Sequence, residues 1–411
     1  KVLSNYPNAG RVYYLRAFCY IFKEEYEHAV NDFEKALKID SNNVNIHFMK
    51  GYCFQKLNKH EQAIKSYSKV LSINSELANA LNNRANAYLH LKMYSNAISD
   101  YNKALKIHPQ NSVILYNRGT LYFKTKKYSE AIRDFTEAIK LEPNSSFAYN
   151  NRGISYVEQK EYNKALSDFN NSIRYDSKNK NAYFNRAICH YKLNKYQEAI
   201  TDYSTVIRLD VKNGAAFNNR GIVYSDMNQL EKAINDYSMA IKIDSTLKGA
   251  YFNRAIAYAK LKRFQKAIDD FDYLIKLDNA NKEYYYARGT TYHTLENYGK
   301  AVADYSKAIS LDSRYDRAYS SRGTAYYLLN RYDSALQDLS KALSLKQNNK
   351  YAFLTRAIIY QKRNNLREAL QDYSKAIEID NRFVAAYTNR GNVYSAMRDF
   401  NNAIKDYSQA I

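Results

Sequence analysis

Tryptophan is absent from the 411 residues, and proline (3), cysteine (3) and glycine (11) are scarce. A fold of turns and short strands needs proline and glycine at its corners, so their scarcity excludes a turn-rich architecture and leaves helices to dominate. No Pro-rich or Ser-rich linker interrupts the chain. The apolar runs are only a few residues long, far short of the roughly twenty that a membrane-spanning helix needs, so no membrane insertion is expected. The start, Lys1-Val2-Leu3-Ser4-Asn5-Tyr6-Pro7, lacks the apolar core of a signal peptide. Catalytic signatures are missing too: there is no HExxH, nucleophile elbow, P-loop or CxxC. The seven histidines are scattered, and His47 and His190 stand where other copies of the pattern below carry aromatics. No catalytic residue, metal site or cofactor is expected.

What is present is a period. Steps of 34 residues from Arg152 reach Arg186, Arg220, Arg254, Arg288, Arg322, Arg356 and Arg390 in one direction, and Arg118, Arg84, Lys50 and Arg16 in the other. A period of this length without insertions marks a stacked repeat array, in which each unit contacts only its neighbours. Within one copy, Tyr149, Gly153 and Tyr156 recur at helical spacing, as do Ala165, Phe169 and Ser172. Only Gln159-Lys160-Glu161 separates the two, so they form an antiparallel helix pair. The Ala165 position is alanine in all twelve copies and the Gly153 position is only Gly or Ala, which demands close approach of the paired backbones.

The three cysteines, Cys19, Cys53 and Cys189, share the position held elsewhere by Ala87, Ser155, Val223 or Ala257, so they are expected to be buried small residues. Cys19 and Cys53 lie one repeat apart on parallel helices, which pack about 8–10 Å apart, whereas a disulfide needs Cα atoms within about 7 Å. Free buried thiols fit a reducing compartment such as the cytoplasm.

An aromatic, a Gly or Ala, a Tyr, an Ala and an aromatic at the spacing of Tyr149, Gly153, Tyr156, Ala165 and Phe169 resembles the tetratricopeptide repeat. The likeness extends over essentially the whole chain. Two departures stand out: the apolar residue usual just before the small position is arginine here, and the usual terminal proline survives only at Pro7, Pro109 and Pro143. The resemblance implies an all-α fold, a right-handed superhelical α-solenoid of stacked antiparallel helix pairs, with a concave groove lined by the first helix of each pair. On this register residues 1–9 end a preceding repeat, and 10–411 hold twelve tandem repeats, the last truncated. No polar capping helix is visible at either end, so the chain reads as a segment of a longer protein.

Arg152 and Asp168, Arg186 and Asp202, and Arg220 and Asp236 are expected to form structural ion pairs. Both positions are conserved in eleven of the twelve copies, and both exceptions, Lys50 and Ser66, fall in the same copy. The alternative is an arginine ladder for an acidic ligand. Setting these two positions aside leaves 50 basic against 30 acidic groups, so the net charge of +21 is surface charge. Much of it, at Lys106, Lys140, Arg174, Arg208, Lys242 and Lys276, closes second helices, where cations complement the helix dipole. Thirty-one of the 43 tyrosines occupy repeat-core positions, so the aromatics do not favour nucleic acid as the partner.

The sharpest binding candidates are Asn83, Asn117, Asn151, Asn185, Asn219 and Asn253, one per copy in six consecutive copies. A side-chain amide offers a donor and an acceptor, matching one peptide group of an extended chain. Ile154, Ile188, Ile222 and Ile256 follow three residues on, with Phe184 and Phe252 one residue before. The row resembles the asparagine ladder of the O-linked N-acetylglucosamine transferase superhelix. It lacks the basic members of a carboxylate clamp, whose equivalents here include Asn150, Asn185, Ala215 and Asn219. The other reading is that asparagine bridges neighbouring helices and isoleucine fills their interface. The expectation is a non-catalytic scaffold holding a protein or peptide partner, acidic in character, in the groove between Asn83 and Asn253. The alternatives are the substrate-recruiting arm of a larger enzyme such as a glycosyltransferase, and a basic nucleic-acid-binding solenoid.

Overall fold

A computed structural model describes residues 9–411. The stretch read as the end of a preceding repeat therefore lies outside the described residues except for Ala9, which is instead the first residue of α1. The chain forms two compact units, one ending at Val211 and one running Lys212–Ile411. The described part of the first contains α1 (Ala9–Phe22), α2 (Tyr26–Leu37), α3 (Val44–Lys56), α4 (His60–Ile73), α5 (Ala78–His90), α6 (Tyr94–Ile107), α7 (Ser112–Lys124), α8 (Tyr128–Leu141), α9 (Ser146–Glu158), α10 (Tyr162–Tyr175), α11 (Lys180–Lys192) and α12 (Tyr196–Leu209). The second contains α13 (Gly214–Asp226), α14 (Leu230–Ile243), α15 (Lys248–Lys260), α16 (Phe264–Leu277), α17 (Lys282–Thr294), α18 (Tyr298–Leu311), α19 (Asp316–Leu328), α20 (Tyr332–Leu345), α21 (Lys350–Lys362), α22 (Leu366–Ile379), α23 (Val384–Ala396) and α24 (Phe400–Ala410). Among the described residues there is no strand, and no helix is long and apolar enough to cross a membrane.

The pair α9 and α10 shows how one copy is built. Lys160 stops α9 by taking a left-handed conformation at φ 61°. Its amide donates to the Val157 carbonyl, and the Glu161 amide donates to the Tyr156 carbonyl, both at 2.9 Å. This double bond closes the helix end and reverses the chain within three residues, so α10 runs back along α9. Across the pair Ala165 and Phe169 are fully buried. A Cβ built on Gly153 would sit 2.7 Å from Cε1 of the Phe169 ring, which is why this position admits only the smallest residues. After α10, Asn179 caps the next helix, its Oδ1 accepting the Ala182 amide at 3.2 Å.

Stacking within each unit follows one rule. The small residue in the middle of a first helix slips beneath the preceding second helix: Cys189 packs with Ala165 and Phe169, Ala87 with Ala63 and Tyr67, and Ala257 with Ala233 and Tyr237. Cys53 obeys it too, against Ala29 and Phe33. Cys19 does not: it is exposed, contrary to the expectation of three buried thiols. It sits on α1, the first described helix, so no second helix among the described residues lies over it.

Candidate peptide-binding face

The arginine of each first helix lies opposite the aspartate of the second because sixteen residues separate them across a three-residue turn. Arg152 Nε lies 2.8 Å from Asp168 Oδ2, and Nη2 lies 2.6 Å from Oδ1. Arg186 holds Asp202 at 2.8 and 2.6 Å, and Arg220 holds Asp236 at 2.7 and 2.8 Å, in the same two-pronged manner. The Asp168 side chain is only 4% exposed and Arg152 16%, so each ion relies on the other for the solvation it has lost. Burial pushes the Asp168 carboxyl above its ordinary range, and the guanidinium only partly offsets this.

The third guanidinium nitrogen reaches the preceding repeat. Arg152 Nη1 donates to Thr136 Oγ1 at 3.0 Å, Arg186 Nη1 to Asn170 Oδ1 at 2.7 Å, Arg84 Nη1 to Ser68 Oγ at 3.0 Å and Arg322 Nη1 to Ser306 Oγ at 2.9 Å. Each of these four arginines therefore fastens its own pair and the pair before it. The exceptional copy keeps one half of this arrangement. Lys50 Nζ lies 2.8 Å from Glu34 of the preceding repeat, while Ser66 Oγ donates to the Gln62 carbonyl within its own helix. The receiving residue stands two places after the aspartate position, a polar position visible in the sequence that the charge pairing alone does not single out.

The asparagine amides bond to one another. In the first unit Asn185 Nδ2 donates to Asn150 Oδ1 at 3.1 Å, Asn150 Nδ2 to Asn151 Oδ1 at 3.2 Å, and Asn151 Nδ2 to the Tyr116 hydroxyl at 2.9 Å. The result is one hydrogen-bonded chain through three successive first helices. Asn117 Nδ2 reaches Asn82 Oδ1 at 2.9 Å, and Asn82 Nδ2 reaches Asn83 Oδ1 at 3.1 Å. The second unit repeats the motif from Asn253 to Asn218 and from Asn218 to Asn219, each at 3.2 Å. All six row asparagines are half-buried. Asn82, Asn150, Asn218 and Tyr116, one residue before the row position, thus belong to it. The triplet Asn-Asn-Arg at Asn150–Arg152 was the available signal.

The apolar candidates are shared between surface and interior. Ile154, Ile222, Ile256 and Phe252 are half-buried and pack against core clusters. Ile188 is also half-buried. Phe184 presents its edge to Tyr203 with centroids 5.6 Å apart, and Phe252 does the same to Phe271 at 5.9 Å. These side chains brace the first helices and leave only part of their surface for a ligand.

Compared with known families, the chain matches the tetratricopeptide repeat at residues 10–43, 78–111, 112–145, 181–213, 214–247, 316–349 and 384–411. Further descriptions of the same repeat match 33–65, 51–92, 135–167, 249–281, 289–330 and 359–397. No curated protein matches the chain. Among solved structures it is similar to the APC/C hetero-tetramer Cut9–Hcn1, at 14% identity over 95% of this chain and 97% of that one, with a TM-score of 0.49. It is similar to yeast Tom70 at 15% identity over 95% and 96%, with a TM-score of 0.43. YrrB, described as a repeat protein of this kind with an unusual peptide-binding site, shares 23% identity over 45% of this chain and 95% of its own, with a TM-score of 0.39. With the repeat matched over more than half its length, the chain belongs to the tetratricopeptide repeat family.

Proposed function

We propose that this chain is a non-catalytic scaffold that holds an extended segment of a protein partner along its first helices. In the first unit the contact residues are Asn83, Asn117, Asn151 and Asn185 with Ile154, Ile188 and Phe184. In the second they are Asn219 and Asn253 with Ile222, Ile256 and Phe252. The observation that carries this reading is the amide chain. Asn151 spends one N–H on Tyr116 and one lone pair on Asn150, which leaves a second N–H and a second lone pair on a half-exposed group. That remaining donor and acceptor match one peptide unit. Because neighbouring repeats already orient the amide, little side-chain freedom is lost on binding. Backbone bonds of this kind give affinity, and the flanking isoleucines and phenylalanines select side chains.

The test begins with peptides selected from a random library on the immobilised protein. Changing Asn117, Asn151 and Asn185 together to alanine is expected to weaken the selected peptides by several-fold to hundreds-fold, at about 0.5–1.5 kcal/mol per hydrogen bond, with the melting temperature lowered only modestly by the lost bonds to Asn82, Tyr116 and Asn150. Full retention of binding rejects the proposal. Lost binding accompanied by a large drop in melting temperature assigns the amides to fastening the helices instead.

A further inference from the structure

The turns joining α5 to α6, α7 to α8 and α9 to α10 place Lys92, Lys126 and Lys160 in the left-handed conformation, at φ 60°, 60° and 61°. The turns on either side, joining α3 to α4 and α11 to α12, use Asn58 and Asn194 at φ 57° and 58°. Asparagine suits this backbone because its short polar side chain bonds locally, whereas lysine gains nothing there. Three consecutive turns therefore carry a residue that the backbone disfavours. Lys124 and Lys127 flank the middle one. All five are exposed, and among the described residues none of their ammonium groups has a hydrogen-bond or ion-pair partner. The nearby acids are fewer, and two of the three are engaged: Glu158 accepts from the Tyr128 hydroxyl at 3.2 Å and Glu161 is paired with Lys164, which leaves Glu130.

The three turns form one continuous edge. Gln159 Nε2 donates to Ser129 Oγ at 2.9 Å, joining the second and third. Between the first and second lies a cleft of about 130 Å³ lined by Tyr94, Ile98, Leu121, Tyr122, Thr125 and Lys127.

We infer that this edge docks an acidic polypeptide segment, its carboxylates on the lysines and one apolar side chain in the cleft. Packed helices repeat about every 8–10 Å, close to three residues of extended chain at about 3.3 Å each, so one carboxylate every third residue meets each turn. Tyr122 and Tyr128 are half-buried and offer little ring face for stacking bases, which sets nucleic acid aside. The edge lies at the helix turns, and the inference is independent of the asparagine row.

The experiment measures fluorescence anisotropy of a labelled peptide of glutamates around one central phenylalanine, at low salt. The wild-type chain is expected to bind it, and the variant K92N/K126N/K160N to bind about tenfold more weakly, the scale of three exposed ion pairs. Because asparagine fits the left-handed turn better than lysine, the variant is expected to keep or raise its melting temperature. A control, K69N/K103N/K106N, removes equal charge from the ends of second helices and is expected to bind as wild type does. The inference is overturned if wild type does not bind, if the turn variant binds equally well, or if the control weakens as much. It is also overturned if single-stranded DNA or phosphatidylserine vesicles bind more tightly than the peptide and lose binding with the same turn variant.

Discussion

At Asp168 a single carboxylate satisfies two guanidinium N–H directions of a side chain that water barely reaches. Its removal leaves Arg152 charged and half-solvated, so Asp168→Ala is expected to cost about 3 kcal/mol, well above the 0–1 kcal/mol of an exposed pair. Hydrogen exchange across α9 and α10 is the check, and rates close to wild type would mean that solvent replaces the carboxylate. The cysteines give a second prediction. Burial pushes the thiols of Cys53 and Cys189 up to about 12, so both stay protonated and inert at neutral pH. In the folded chain iodoacetamide is expected to label Cys19 alone, read by mass spectrometry, with all three labelled in denaturant. The joint exception at Lys50 and Ser66 makes the charge pairing legible in the sequence, since two positions that fail together share a partner. The exposure of Cys19 was not legible: its position is defined by what packs over it, and nothing in its neighbours along the chain records that.

The helix pair owes its shape to positions that every copy must satisfy. Gly153 is small because the Phe169 ring lies against it, and Ala165 is fully buried in the same pair; a steric demand repeated twelve times shows in the sequence as an unbroken column. The turn is different, because its left-handed residue ranges over Glu, Asn, Lys and Arg and carries no residue signature. That mismatch yields a prediction. Lys160→Gly removes a left-handed penalty of about 1–2 kcal/mol and adds an unfolded-state entropy cost of about 0.5–1 kcal/mol, so stability is expected to rise by about 0.5–1 kcal/mol. The urea midpoint reports it, and an unchanged or lower midpoint would show that the turn is unstrained. The amide chain also stayed hidden at this scale. An asparagine on a helix can turn to solvent, to its own helix or to the next one, and only the neighbouring helix at Asn150 and Tyr116 decides.

Over the whole molecule, apolar faces are buried by repetition. Ile200, Ile234 and Ile268 are 7%, 5% and 4% exposed, while Ile404, at the same position on α24, is 64% exposed and Phe400 beside it 59%. A polar helix appended after Ile411 in the same register is expected to bury both, at about 1.5–3 kcal/mol per fully buried side chain. The expected result is slower hydrogen exchange in α23 and α24 and less self-association, and no change in either would mean that this face does not drive them. The 34-residue period, the scarcity of proline and glycine and the obligatory small columns determined the class of fold from sequence alone, because each repeat meets only its neighbours and a local rule copied twelve times becomes a global one. Only the tertiary structure decided which way the polar groups turned: the third arginine nitrogen to the preceding repeat, and the asparagine amides to one another. A hydrogen bond depends on angles and distances between helices, and a list of residue types does not contain them.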